Sequence, residues 1–322
     1  MSTNARLQAL FALLAVAILS LGVAACGGDG DETTTTGGGL IQSNPDNSGV
    51  QITVGSKNFT EEYILGEIYA QGLEAAGYDI KTDLNLGDSE IALKALKAGE
   101  IDGYPDYTST VLTSFFGTKP QEVPNDAQQA YEQSKADFAK DDLVAYPPAP
   151  YNSANAVGTL TTTADKLGLE NISDLEGKSQ DLTLYGSPEC RQRVDCLVGL
   201  EDGYGLKFKS FTPVDIALRY QVLDKGQADL SILFTSDANL ATTDKYTILA
   251  DDRHIFPAGN PMFIASKDTV DAAGPDFGNV IEQVQRNLSL KVVQELNARV
   301  DIDKQKPADV AHDYLKSSGL VE

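Results

Sequence analysis

Few residues in this 322-residue chain could act as a nucleophile, a proton carrier or a metal ligand. There are two histidines, His254 and His312, and three cysteines, Cys26, Cys190 and Cys196. No Gly-x-Ser-x-Gly elbow, histidine pair at metal spacing or phosphate loop is present. Catalytic residues, a metal and a cofactor are therefore not expected. Cys190 and Cys196, spaced C-x5-C, are expected to form a disulfide in an oxidising compartment, closing a small loop. The chemistry on offer is recognition. An aromatic followed by threonine occurs twice, at Tyr107-Thr108 and Phe234-Thr235. Each pair lies five residues after the aspartate of a Gly-x-x-Asp, Gly99 to Asp102 and Gly226 to Asp229.

The elements that would position these pairs repeat. Ile52-Thr53-Val54 reads as a strand ending in Gly55-Ser56, and Leu182 to Tyr185 as another ending in Gly186-Ser187. A helix follows over Thr60 to Ala76, with Thr60 as its cap and Gly77 as its stop. Ile64, Leu65, Ile68, Tyr69 and Leu73 share one face of it. An extended run over Ile80 to Leu86 and a helix over Ser89 to Ala98 complete the unit. From Gly55 to Tyr107 is 52 residues, and from Gly186 to Phe234 is 48. The order and spacing predict two α/β lobes of similar plan with mostly parallel sheets flanked by helices. Ligands of such sheets sit beyond the carboxyl ends of the strands. Two facing lobes would bring both aromatic-threonine pairs into one cleft. Asp102 and Asp229 read as turn or structural residues.

Pro147-Pro148-Ala149-Pro150 and Phe256 to Pro261 break regular structure. They divide the chain into a first lobe, 50–152 plus 262–322, and a second lobe, 153–261. Met262 to Ser266 reads as a strand, Phe277 to Val300 as one long helix, and Pro307 to Ser317 as a last helix closed by Gly319. Two crossings between the lobes would form a hinge pair.

At the start, Arg6 precedes an apolar run from Leu7 to Leu21, and Val23-Ala24-Ala25 precedes Cys26. The run is short for a permanent span, which needs roughly 20 apolar residues. It fits a secretory signal, 1–25. The small residues before Cys26 resemble a bacterial lipobox, which implies lipid modification of that thiol. Polar residues from Gly27 to Asn47 predict a flexible linker over 26–49. The expected location is extracytoplasmic, lipid-anchored to the outer face of the cell membrane. The net charge of −22, from 47 acids against 25 lysines and arginines, argues against nucleic acid. The acid excess is read as serving solubility.

Three stretches carry a family resemblance: Val54-Gly55-Ser56-Lys57-Asn58-Phe59-Thr60-Glu61-Glu62, Asp102-Gly103-Tyr104-Pro105-Asp106-Tyr107-Thr108-Ser109-Thr110, and Ser187-Pro188-Glu189-Cys190. They resemble substrate-binding proteins of ABC importers for glycine betaine, choline, carnitine and related osmoprotectants, over nearly the whole chain from Val50. The resemblance implies a two-lobed type II periplasmic-binding-protein fold and a separate permease and ATPase; a monomer is expected, and the missing catalytic constellation points to a protein that is not an enzyme. It also implies a quaternary ammonium held among aromatic rings. By motif, Tyr107 and Thr110 match first-lobe contacts and Lys57 a carboxylate-side contact. Arg193 matches the second lobe's guanidinium and Phe234 an aromatic wall. Asn155 and Gly259 stand where such proteins often carry tyrosines.

A cation–π contact contributes about 0.5–2 kcal/mol, against roughly 8 kcal/mol for a micromolar ligand. Two rings do not suffice. Either Tyr104, Tyr151 or Tyr185 completes the set, or the ligand is a different small amine or amino-acid-like solute. A sensory lipoprotein without transport, or an enzyme on the same scaffold, are the competing functions. The enzyme would require a base or nucleophile in the cleft.

Overall fold

The computed structural model describes residues 39–322. The predicted signal peptide, the Cys26 lipidation site and the first part of the predicted linker lie outside the described residues. Ten strands are present among the described residues: β1 (Gln51–Gly55), β2 (Asp79–Asp83), β3 (Gly103–Tyr107), β4 (Leu143–Ala145), β5 (Asn155–Leu160), β6 (Thr183–Gly186), β7 (Ser210–Pro213), β8 (Leu230–Phe234), β9 (Tyr246–Ile248) and β10 (Pro261–Ser266). They build two sheets of identical plan, β2-β1-β3-β10-β4 and β7-β6-β8-β5-β9. In the first, β1 pairs parallel with β2 and β3, while β10 runs antiparallel to β3 and β4. In the second, β6 pairs parallel with β7 and β8, while β5 opposes β8 and β9. The opposed strand is the crossover strand of each sheet. β5 carries the chain into the second lobe and β10 brings it back to the first.

The apolar periodicity of the first helix, α1 (Thr60–Ala75), has its expected consequence. Ile64, Leu65, Ile68, Tyr69 and Leu73 are buried in one cluster with Phe263, Phe277, Val284 and Tyr314. β10 divides its side chains by the two-residue period of a strand. Phe263 and Ala265 enter that cluster, while Met262 and Ile264 face a second one with Leu96, Tyr104 and Phe138. Three local readings change. Thr60 does not cap α1; it is the first helical residue, and its hydroxyl donates to Asp301 at 2.6 Å. The long C-terminal helix is two helices, Pro275–Gln285 and Leu290–Asp301. Leu288 turns into the core at the break, and the Ser289 side chain caps the second helix by accepting from the Val292 N–H. The last residues of the predicted linker are fastened to the first lobe. The Ile41 N–H donates to the Leu320 carbonyl and the Asn47 amide to that of Ala76, both at 2.9 Å.

The two crossings are joined to each other. Ser153 and Gly259 exchange both backbone hydrogen bonds at 2.9 Å. Gly259 also accounts for one missing tyrosine. A Cβ there would lie 2.8 Å from the Ser109 backbone nitrogen and against its hydroxyl, so the close approach excludes any side chain. Among the described residues no helix is long and apolar enough to cross a membrane.

The repeated aspartates do one job twice. Asp102 accepts from the Thr53 N–H at 2.7 Å and so ties the entry of β3 to β1. Asp229 accepts from the Thr183 N–H at 2.8 Å and its hydroxyl at 2.7 Å, tying β8 to β6. Asp229→Ala leaves a strand N–H without its charged acceptor. It is expected to lower the unfolding free energy by about 1–3 kcal/mol in urea titration. A change near zero would show that water replaces the carboxylate.

Candidate functional site

The carboxyl ends of β1 and β3 face those of β6 and β8 across a cleft of about 880 Å³, counted to its open mouth. Lys57, Tyr107 and Thr110 line it from the first sheet's end, and Asn155, Arg193 and Phe234 from the second's. The structure therefore brings all six residues singled out in the sequence to one cavity. Tyr107 closes β3 and Phe234 closes β8, so the duplicated plan sets one ring opposite the other.

A third ring joins them. Phe59, in the turn between β1 and α1, stacks 6.4 Å from Tyr107 and lies 5.2 Å from Phe234, centre to centre. It fills the place assigned in the sequence to Tyr104, Tyr151 or Tyr185, none of which lines the cleft. Tyr104 is buried with its hydroxyl on Asp106, Tyr151 is buried with its hydroxyl on Glu61, and Tyr185 packs beside Val222 and Leu233. The available signal for Phe59 was its position two residues after Lys57, at the same strand end.

Each cation of the cleft has its own acid. Lys57 is 3 % exposed. Its Nζ lies 2.5 Å from Asp106 and 3.5 Å from Glu62, and 4.7 Å from the centre of the Tyr107 ring. Its charge is thus directed to the buried acids, as burial of an ammonium requires. Arg193 donates from Nε and Nη2 to Asp195 at 2.7 and 2.5 Å. Its Nη1 has no hydrogen-bond partner among the described residues. Arg219 makes a bidentate pair with Asp237, and its guanidinium carbon lies 4.5 Å over the Phe234 ring. The sequence had not pointed to Phe59, Arg219, Asp195, Asp88 or Glu189 as lining residues.

The Cys190–Cys196 disulfide forms, with its Cα atoms 5.2 Å apart. It closes the loop that carries Arg193, and both cysteines face the cleft. Asn155 holds the same loop, donating to the Asp195 carbonyl at 2.9 Å. That bond suits a short amide where a tyrosine was the alternative. Among the described residues, the hydroxyls of Thr110 and Ser187 have no protein partner. The cleft therefore combines aromatic faces, a guanidinium with a spare donor group and free hydroxyls. Together these can recognise a small charged solute.

Glu62 is fully buried behind Lys57. Burial pushes its carboxyl up to about 8, Lys57 pulls it back, and Asp106 adds to the rise. The folded state then keeps a proton that the unfolded chain releases above about 4.5. Stability contributed through this group falls as pH rises from the ordinary carboxylate range to about 8. Glu62→Gln has no proton to lose. The unfolding free energy of the wild type relative to Glu62→Gln is expected to decline across that window. A constant difference in denaturant titrations from acid to mildly alkaline pH would contradict this.

The substrate-binding domain of ABC-type glycine betaine transport systems matches residues 50–317. A glycine-betaine-binding protein of Pseudomonas aeruginosa is 30 % identical over 282 residues, covering 84 % of this chain and 89 % of that protein. An ergothioneine transport permease/ergothioneine binding protein of Helicobacter pylori is 27 % identical, covering 84 % of this chain and 48 % of that longer protein. The crystal structure of a glycine betaine/carnitine/choline ABC transporter protein superposes with a TM-score of 0.65 at 25 % identity, over 83 % of this chain and 98 % of that one. With its two lobes of matched plan and a cleft between their strand ends, the chain belongs to the family of substrate-binding domains of ABC-type glycine betaine transport systems.

Proposed function

We propose that this protein binds a quaternary-amine solute of the glycine betaine, choline or carnitine type between its lobes and delivers it to a membrane permease driven by an ATPase. The observation that carries the reading is the aromatic seam Tyr107–Phe59–Phe234 at the mouth of both strand sets. The solutes named for its relatives share a trimethylammonium group, and that group has no N–H to donate. Aromatic faces attract it without demanding a hydrogen bond. Most of those solutes also carry a carboxylate, for which the free Nη1 of Arg193 and the hydroxyls of Thr110 and Ser187 are suited.

Asn155 acts through the 190–196 loop, and Lys57 acts chiefly by balancing Asp106 beneath Tyr107. The protein works as a monomer on the outer face of the membrane. A signal peptide directs its export, and a lipid on Cys26 holds it there. Its partners are the solute, the permease with its ATPase, and the membrane through that anchor.

Calorimetry with glycine betaine, choline and carnitine tests the binding. One-to-one saturable heat is expected for at least one of them, and no heat with any would end the reading. Phe59→Ala is expected to weaken binding roughly threefold to thirtyfold. Arg193→Ala should weaken glycine betaine roughly tenfold to hundredfold and choline less, because choline has no carboxylate. Equal losses for both would remove the guanidinium from the carboxylate role. Expressed with its leader, Cys26→Ser is expected in the soluble fraction, and persistent membrane retention would exclude the lipid anchor.

A further inference from the structure

One buried carboxylate contacts the aromatic wall of the cleft from behind. Glu61, in the first turn of α1, is 4 % exposed and takes no part in lining the cavity. Three donors converge on it. The Tyr107 hydroxyl reaches Oε1 at 2.5 Å and the Tyr151 hydroxyl the same oxygen at 2.8 Å. The Asn297 amide reaches Oε2 at 3.1 Å and also bonds the Ser236 carbonyl of the second lobe at 3.1 Å. Both of its oxygens accept, as those of a carboxylate can.

The consequence for Tyr107 is electronic. Burial first, and then the charge of Glu61, hold its hydroxyl far above the usual phenol range, so it keeps its proton and donates it. A phenol that donates to a carboxylate is polarised, with more electron density on its ring, in the way bonded groups in a low-dielectric interior polarise one another. Electron density on the ring face is what draws a cation to it. Lys57 lies over the same ring, yet its charge is balanced by Asp106. Glu61 is thus an additional negative charge behind a ring that lines the cleft.

We propose that Glu61 is a positioning residue that sets the preference of the cleft for a cation, acting through the Tyr107 hydroxyl without touching the ligand. The inference rests on the quaternary-amine reading of the cleft. Its test separates charge from shape by pairing glycine betaine with tert-butylacetate, in which carbon replaces the ammonium nitrogen.

Calorimetry on the folded chain gives the affinity ratio of the two ligands. Glu61→Gln is expected to reduce that ratio roughly fivefold. Tyr107→Phe, which keeps the ring and cuts the link, should do the same, and the double variant should lose no more than either single one. Tyr151→Phe, which leaves the Tyr107–Glu61 bond in place, should keep the wild-type ratio. An unchanged ratio in Glu61→Gln, with both ligands weakened alike, would reduce Glu61 to a structural part and overturn the proposal. Additive losses in the double variant would overturn it too. Should Glu61→Gln not fold, the ratio in Tyr107→Phe decides alone. If the wild type binds no quaternary amine, the reading of the cleft itself fails. A wild type that binds while the variants keep its ratio refutes only the role of Glu61.

Discussion

Phe59 touches a ring from each lobe, and the cleft is organised around that contact. Tyr107 and Phe234 end equivalent strands of two sheets that share no strand, so no hydrogen-bond ladder connects them. Between them lies a side chain in the turn after β1, 6.4 Å from one and 5.2 Å from the other. Aromatic pairs at such separations contribute about 0.5–1.5 kcal/mol beyond burial. That is enough to favour approach of the lobes and small enough for a ligand to rearrange. The two crossings are joined at Ser153 and Gly259, where a hinge between the lobes would lie.

Electrostatic balance is the second condition. Lys57, Arg193 and Arg219 are each matched by a carboxylate within hydrogen-bond reach, Asp106, Asp195 and Asp237. An unpaired buried cation would repel the ammonium of a ligand and cost several kcal/mol in lost hydration. Pairing removes both difficulties while leaving donors such as Nη1 of Arg193 available. The disulfide and Asn155 then fix the loop from which Arg193 is presented.

The sequence carried most of this plan because periodic features survive as patterns. The repeated Gly-x-x-Asp and the aromatic-threonine pairs mark strand ends, and the structure gives Asp102 and Asp229 the same bond to a neighbouring strand. The α1 stripe was legible for the same reason. What stayed hidden depends on partners distant in sequence. Lys57 meets Asp106 from 49 residues away, and Glu61 meets Asn297 from 236. No local pattern announces such pairs, so the place of Lys57 in the cleft was legible but its ion pair with Asp106 was not. Phe59 was masked by a polar stretch in which nothing indicates which way the turn aims its ring. The break at Ser289 gave way to a stronger apolar period on both sides, although a serine there is a recognised helix start.

The most direct measurement is a crystal structure with glycine betaine bound. The account predicts the trimethylammonium carbons packed against Phe59, Tyr107 and Phe234, within about 6 Å of the ring centres, and the carboxylate on Arg193. A bound solute whose ammonium lies away from all three rings, or outside the cleft between the two sheets, would contradict it.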